Sequence, residues 1–222
     1  MRATFPAVCF DLDGVLIDTM PLHAQAWRQA CQRFGLRAPR RFIYEREGEP
    51  GVVTARLLCS AQRKTFPRRQ LSQLLSDKER IFSRLARGVK VNVHLLKLLE
   101  RLSRCGVRLA LVTGTSSGEV RRVVSTRTLR LFEVTVTGDR VRHGKPHPEP
   151  YHLAFQRLRI RPRQAIVVEN APYGIRSARR ARAGLVVALA SSLPRRYLRE
   201  ADMIVGSVKR LCGLLEQMTV SD

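Results

Sequence analysis

The stretch Ala7-Val8-Cys9-Phe10-Asp11-Leu12-Asp13-Gly14-Val15-Leu16-Ile17-Asp18-Thr19 decides how the rest of the chain is read. Four apolar residues end in carboxylates at i and i+2, followed by a glycine. The apolar run reads as a short buried strand, and Gly14 lets the chain turn sharply as it leaves the sheet. In an open parallel sheet, ligands bind beyond the carboxyl ends of the strands, which is where Asp11 and Asp13 would stand. Two carboxylates that close repel each other unless a cation or a proton lies between them. Taken alone, Asp-x-Asp reads equally well as a strand end with solvated acids.

Outward from this stretch, helix and strand patterns alternate along most of the chain. Pro21 to Phe34 carries Leu22, Ala26, Ala30 and Phe34 on one helical face and stops at Gly35. A joint rich in proline and arginine follows, then Phe42 to Gly51, which reads as a turn-rich loop. Val52 to Ala61 and Arg68 to Leu85 are again helical. From His94 onward the expected order is helix to Cys105, strand 107–112, helix 117–124, strand 132–137, helix 150–158 and strand 165–168. A helix over 174–182, strands at 185–190 and 203–205, and a helix over 208–218 complete it. This alternation predicts an α/β fold, a parallel sheet with helices on both faces. Residues 1–17 and 89–222 are expected to form that core, with residues 18–88 inserted as an all-helical cap.

At 222 residues, the chain is long enough to bury a full core. No apolar run approaches the length of a membrane span, and the N-terminus shows no signal-peptide pattern. The five cysteines, Cys9, Cys31, Cys59, Cys105 and Cys212, lack metal-ligand spacing and suit a reducing compartment, so a cytoplasmic location is expected. The charge is unusual: 41 basic residues, 35 of them arginine, against 18 acids give +23. Residues 18–88 hold 15 basic and 6 acidic residues, a net +9, and the remainder hold 26 and 12, a net +14. The excess is diffuse, and no aromatic stacking platform is interleaved with it. It therefore reads as a solvated surface that attracts anions, small phosphorylated compounds included, rather than as a nucleic-acid face.

Phe10-Asp11-Leu12-Asp13-Gly14-Val15-Leu16-Ile17-Asp18-Thr19 resembles the first motif of the haloacid dehalogenase superfamily, in its phosphatase and β-phosphoglucomutase-like branch. Leu111-Val112-Thr113-Gly114-Thr115, Gly144-Lys145-Pro146-His147-Pro148 and Val167-Val168-Glu169-Asn170-Ala171-Pro172-Tyr173-Gly174 resemble the later motifs, in the same order. The resemblance spans nearly the whole chain and implies a Rossmann-like core with a helical cap. It implies Asp11 as a nucleophile that becomes an aspartyl-phosphate, and Asp13 as general acid and base. Thr113 with the Gly114 and Thr115 backbone would meet the phosphate, and Lys145 would bridge Asp11 and the transferring group.

Mg²⁺ is the implied cofactor, held by Asp11, the Asp13 carbonyl, Glu169 and Asn170. Many relatives carry two acids at the last pair; asparagine offers an oxygen without charge, which leaves Glu169 as the main anionic ligand there. His23 resembles a histidine that positions cap and substrate. The loop Arg46-Glu47-Gly48-Glu49-Pro50-Gly51 lacks the arginine that sugar-phosphate mutases of the branch place after their loop glycine. An acidic loop facing an anionic substrate needs a cation between them, so Glu47 is expected to reach the metal. That loop also resembles a subgroup associated with pyrophosphate hydrolysis. A Mg²⁺-dependent phosphohydrolase, with pyrophosphate as the single substrate singled out, is the first reading; a phosphosugar mutase is the second, and a polyanion binder the third.

Overall fold

The computed structural model describes residues 5–220. Six parallel strands, β1 (Ala7–Phe10), β2 (Arg108–Val112), β3 (Val134–Val136), β4 (Ala165–Glu169), β5 (Leu185–Leu189) and β6 (Met203–Val205), form one sheet in the order β3-β2-β1-β4-β5-β6. The α/β Rossmann-like architecture is therefore the one the sequence predicts. The winding direction reverses between β1 and β4, so the crevice beyond their carboxyl ends lies at a topological switch point.

These strands are continuous apolar runs because both faces of a parallel sheet are covered. Alternation along each strand sorts its residues between two cores. Val8 and Phe10, Leu109 and Leu111, and Ile166 and Val168 face one side with α5 (Val93–Arg104) and α10 (Val208–Thr219). Ala7 and Cys9, Ala110 and Val112, and Ala165 and Val167 face the other, with α8 (Glu149–Arg157) and α9 (Pro172–Arg180). Phe10 is wholly buried and meets Phe132 edge-on, with ring centroids 6.4 Å apart. Burial of such a side chain is worth about 1.5–3 kcal/mol.

Between β1 and α5 lie α1 (Met20–Gln32), α2 (Arg40–Glu45), α3 (Gly51–Ala61) and α4 (Arg68–Leu85). Trp27, Cys31, Leu58, Leu71 and Leu74 give these helices a hydrophobic cluster of their own, while Ala26, Ala30, Ile81 and Phe82 join the core beneath the sheet. Asp77 on α4 ties that helix to the end of α1 by accepting a hydrogen bond from Arg33, while its other oxygen accepts from Arg80 on its own helix. The sequence reading of Phe42 to Gly51 as loop is corrected here. Arg40–Glu45 is a helix that starts after the extended Pro39, and its turn sends Ile43 into the cluster of the inserted helices and Tyr44 into the core on the α8 side of the sheet. Only residues 46–50 bridge to α3. The short helix α7 (Thr126–Leu129), which follows α6 (Ser117–Val123), is also absent from the sequence reading.

No helix among the described residues is long and apolar enough to cross a membrane. All five cysteines are free thiols.

Candidate active site

The chain leaves β1 at Asp11 and doubles back at once. The Leu12 carbonyl accepts from the N–H groups of Leu16 and Ile17, and Gly14 takes φ +85°, a conformation that favours glycine. A Cβ at Gly14 would stand 2.0 Å from Asn170 Nδ2, so the space is needed as well. This turn brings Thr19 back over Asp13. Thr19 occupies the N-cap of α1 yet makes no capping bond, because its hydroxyl donates to Asp13 Oδ1 at 2.5 Å. A missing cap of this kind costs a helix about 1 kcal/mol; the hydroxyl is committed to the acid instead.

Asp13 is wholly buried. It meets His23 Nε2 at 3.0 Å and the hydroxyls of Thr115 at 2.6 Å and Thr113 at 3.4 Å. Burial pulls its carboxyl upward, but the charge of His23 and hydrogen bonds from His23, Thr115 and Thr19 outweigh it and hold the group well below the usual carboxylate range. His23 in turn stacks on Phe82 of α4, with ring centroids 3.9 Å apart.

Asp11 faces a different environment. Lys145 Nζ, buried to 2%, donates to Asp11 Oδ1 at 2.6 Å, to Glu169 Oε1 at 2.6 Å and to the Val112 carbonyl at 3.1 Å. Burial raises the Asp11 carboxyl to about 8 against the opposing charge of Lys145. Burial likewise disfavours the Lys145 ammonium, but Asp11 and Glu169 more than compensate and lift it above the ordinary lysine value. The ammonium is therefore charged, and the acid beside it is the group under strain.

Glu169 is fully engaged. Its Oε1 also accepts from Tyr151 at 2.5 Å, and its Oε2 accepts from the Asn170 N–H at 3.2 Å. Asn170, by contrast, is wholly buried with neither side-chain atom partnered among the described residues, and Asp11 Oδ2 is in the same position. The two residues at the end of β4 are thus placed differently. The charged residue is bound up with Lys145 and Tyr151, and the neutral one stands free.

Thr113 ends β2, and its hydroxyl accepts the Thr115 N–H at 3.0 Å. The Thr115 amide, expected to be open to a phosphate, is thus occupied within the loop. Gly114 is pressed against residues 46–50: a Cβ there would lie 2.8 Å from Gly48 Cα. Gly48, at φ +81°, rests on the Lys145 side chain, and its own Cβ would come within 2.5 Å of Lys145 Cδ. The helical insert is therefore closed onto the sheet end. Glu47, partly exposed, lines the cleft so formed. Burial, then the charges of Asp13 and Asp11, raise its carboxyl well above the usual range.

The cleft holds about 220 Å³. His23 lies on its wall with Glu47, Glu49, Glu79, Glu119 and Asp139 against only two cations, Arg46 and Lys78. Lys78 Nζ sits 3.7 Å from Glu119 Oε1 and over the Phe82 ring at 5.0 Å. Sequence reading assigned nothing to Lys78 or Glu119, since each is one charged residue among many on a helix. Only the packing of α4 against α6 brings them together.

Comparison with known proteins gives the family. The family model described as haloacid dehalogenase-like hydrolase matches residues 8–188, from β1 through β5. The chain belongs to the haloacid dehalogenase-like hydrolases. Among this hydrolase's relatives, the phosphorylated carbohydrates phosphatase of Thermotoga maritima is 34% identical over 182 residues, covering 79% of this chain and 81% of its own. Hexitol phosphatase A of Escherichia coli is 31% identical over 213 residues, covering 96% and 92%. Pyrophosphatase PpaX of Oceanobacillus iheyensis is 26% identical over 211 residues, covering 94% and 95%. A solved hydrolase structure from Pseudomonas syringae superposes with a TM-score of 0.86 at 21% identity, covering 96% of this chain and 99% of that one, which shows the shared fold. The three relatives compared by sequence are two phosphatases and a pyrophosphatase, the enzyme class implied by the motifs.

Proposed function

We propose that this hydrolase removes the phosphoryl group from a small phosphorylated sugar or polyol through an aspartyl-phosphate on Asp11. The observation that carries the reading is the pairing at Asp11: one buried oxygen bound to Lys145 and the other without a partner. An unpartnered buried polar atom costs about 1–3 kcal/mol, so the free oxygens of Asp11 and Asn170 point to a missing electropositive ligand. A hard divalent cation fits this donor set, since Mg²⁺ takes carboxylate and amide oxygens and keeps several waters. Asp11 and Asn170 would hold it, with Glu47 from the cap side, while Glu169 anchors Lys145. When bound, Mg²⁺ neutralises charge on the phosphoryl oxygens and on the carboxylates around them.

The chain's own residues divide the remaining work. An Asp11 oxygen attacks phosphorus, and the bond from phosphorus to the substrate oxygen breaks. Asp13 gives that oxygen a proton, then takes one from the water that attacks the aspartyl-phosphate and releases orthophosphate. The donors now gathered on Asp13 favour its carboxylate, the form required in the second half; the proton it gives in the first half is the one taken from water in the preceding turnover. Lys145 holds Asp11 in place and offsets the incoming charge.

Five carboxylates against two cations on the cleft wall favour a neutral body rich in hydroxyls, which can donate to them. The same wall offers a second phosphate only Arg46 and Lys78, and Lys78 already lies beside Glu119. This weighs against pyrophosphate and against a mutase handling two phosphates, and the carbohydrate and hexitol phosphatases among the relatives support the same choice. The four helices between β1 and α5 serve as the cap, and residues 46–50 close it over Asp11. A turnover screen with Mg²⁺ over hexose phosphates, hexitol phosphates and pyrophosphate tests the reading. Orthophosphate release from the first two, abolished by Asp11→Asn, is expected. Full turnover by that variant refutes the mechanism, and preference for pyrophosphate refutes the substrate class.

A further inference from the structure

On the outer side of the loop that presents Lys145, two histidines and a carboxylate converge without any part in the site described above. His143 Nδ1 lies 2.9 Å from Glu149 Oε2, and His147 Nδ1 lies 3.9 Å from the same oxygen. The two imidazole rings are 4.6 Å apart between centroids. One candidate ligand atom from each of the three residues falls within 4.8 Å of the other two. We propose that His143, His147 and Glu149 form a binding site for a borderline divalent transition-metal ion such as Zn²⁺.

Three features support this assignment. The donor set of two imidazoles and one carboxylate suits Zn²⁺, Co²⁺, Ni²⁺ or Cu²⁺, whereas Mg²⁺ prefers oxygen alone. Ligand atoms around a tetrahedral zinc with bonds of about 2.1 Å stand roughly 3.4 Å apart, so only a small side-chain adjustment separates the present arrangement from a coordinating one. Both histidine side chains are about half exposed, at 52% and 51%, and are free to make it.

The backbone beneath them is fixed. Ser177 Oγ, on α9, donates to the His147 carbonyl at 2.6 Å, and Arg180 donates to the Pro146 carbonyl at 3.1 Å. Glu149 is held as a carboxylate, since the N–H of Arg142, then His143, donate to it and lower its pKa. One existing bond competes: the Glu149 N–H donates to His147 Nδ1 at 3.2 Å. A metal at that nitrogen displaces it, and a metal at Nε2 leaves it intact. Three protein ligands leave a fourth position for water, as in open zinc sites.

Lys145 lies between the two histidines in sequence, so an ion bound here closes a clip around the residue that holds Asp11. Titration calorimetry of the untagged full-length protein with Zn²⁺ in excess Mg²⁺ tests the site, together with Co²⁺ absorption. One equivalent of Zn²⁺ is expected, retained in Asp11→Asn and weakened at least about tenfold in both His143→Gln and His147→Gln. Co²⁺ should give ligand-field bands without a thiolate charge-transfer band, and Zn²⁺ should slow amide exchange across 142–149. Unchanged binding in both histidine variants overturns the proposal. So does a wild-type protein that takes up no Zn²⁺ under these conditions, or one whose Co²⁺ spectrum reports thiolate ligation.

Discussion

Replacing Lys145 by methionine keeps the buried stem and deletes the ammonium that lies 2.6 Å from both Asp11 and Glu169. Removing one partner from a buried ion pair costs about 3–5 kcal/mol, because the charge left behind is uncompensated. For a chain of this size each kcal/mol moves the midpoint by about 2–4 °C, so a drop of roughly 6–20 °C is expected. The loss has a sign in pH. Burial already raises Asp11 to about 8 with Lys145 present, and without the ammonium the carboxyl rises further. A carboxyl whose folded pKa exceeds its unfolded value costs stability above the unfolded pKa, and that cost shrinks as protonation becomes possible on acidification. Melts in chelator at pH 8.5 and pH 5.5 should therefore show the larger deficit at the higher pH. Turnover with Mg²⁺ should fall about 10²–10³-fold, as when a preorganised donor to developing charge is removed. A deficit equal at both pH values, a midpoint within about 1 °C of wild type at pH 8.5, or activity within about threefold of wild type would refute the reasoning.

Glu47→Gln removes an acid whose carboxyl is raised by burial and by the charges of Asp13 and Asp11. Its cost to the wild type is absent below the usual carboxyl range and grows above it, so the variant should melt higher than wild type at pH 8 in chelator and equally at pH 4. If Glu47 reaches the metal, the same variant should also need on the order of ten times more Mg²⁺ for half-maximal rate. Asn170→Asp adds charge to the free position at the end of β4 and should lower that Mg²⁺ requirement on the order of tenfold; an unchanged titration counts against Asn170 as a ligand. Gly48→Ala places a methyl 2.5 Å from Lys145 Cδ at a backbone φ of +81°. It should cut kcat/KM at least about 10²-fold, as misplacement at a reacting centre does, and the left-handed alanine should lower the melting midpoint by roughly 2–8 °C; wild-type kcat/KM would show that the loop need not close this way.

The sheet and its order of elements were legible from local pattern, whereas the central acids were singled out by the motifs' resemblance. Apolar runs such as Ala165 to Val168, followed by polar residues, name buried strands and the places where side chains leave the sheet. The helix ends at Gly35 and Gly106 follow from the same local chemistry. Burial of that kind is a property of a few neighbouring residues, so a sequence displays it directly. Arg40–Glu45 escaped because its short run beside Pro39 and Gly48 carries strong turn signals, and only contact with apolar surface makes Ile43 and Tyr44 helical.

Partnerships across the site were decided elsewhere. Lys145 and Asp11 are 134 positions apart, and Thr115 and Asp13 are 102 apart, so no spacing rule links them. At Glu169 and Asn170, composition favours the charged residue as the ion ligand. In the folded chain, Lys145, already paired with Asp11, also holds Glu169, Tyr151 donates to the same oxygen, and the Asn170 amide is left without a partner among the described residues. Sequence alone determined which groups could do the chemistry. Tertiary packing decided which of them are already satisfied, because a buried polar atom is matched by whatever the fold places within about 3 Å of it, and that neighbour is seldom one the chain order reveals.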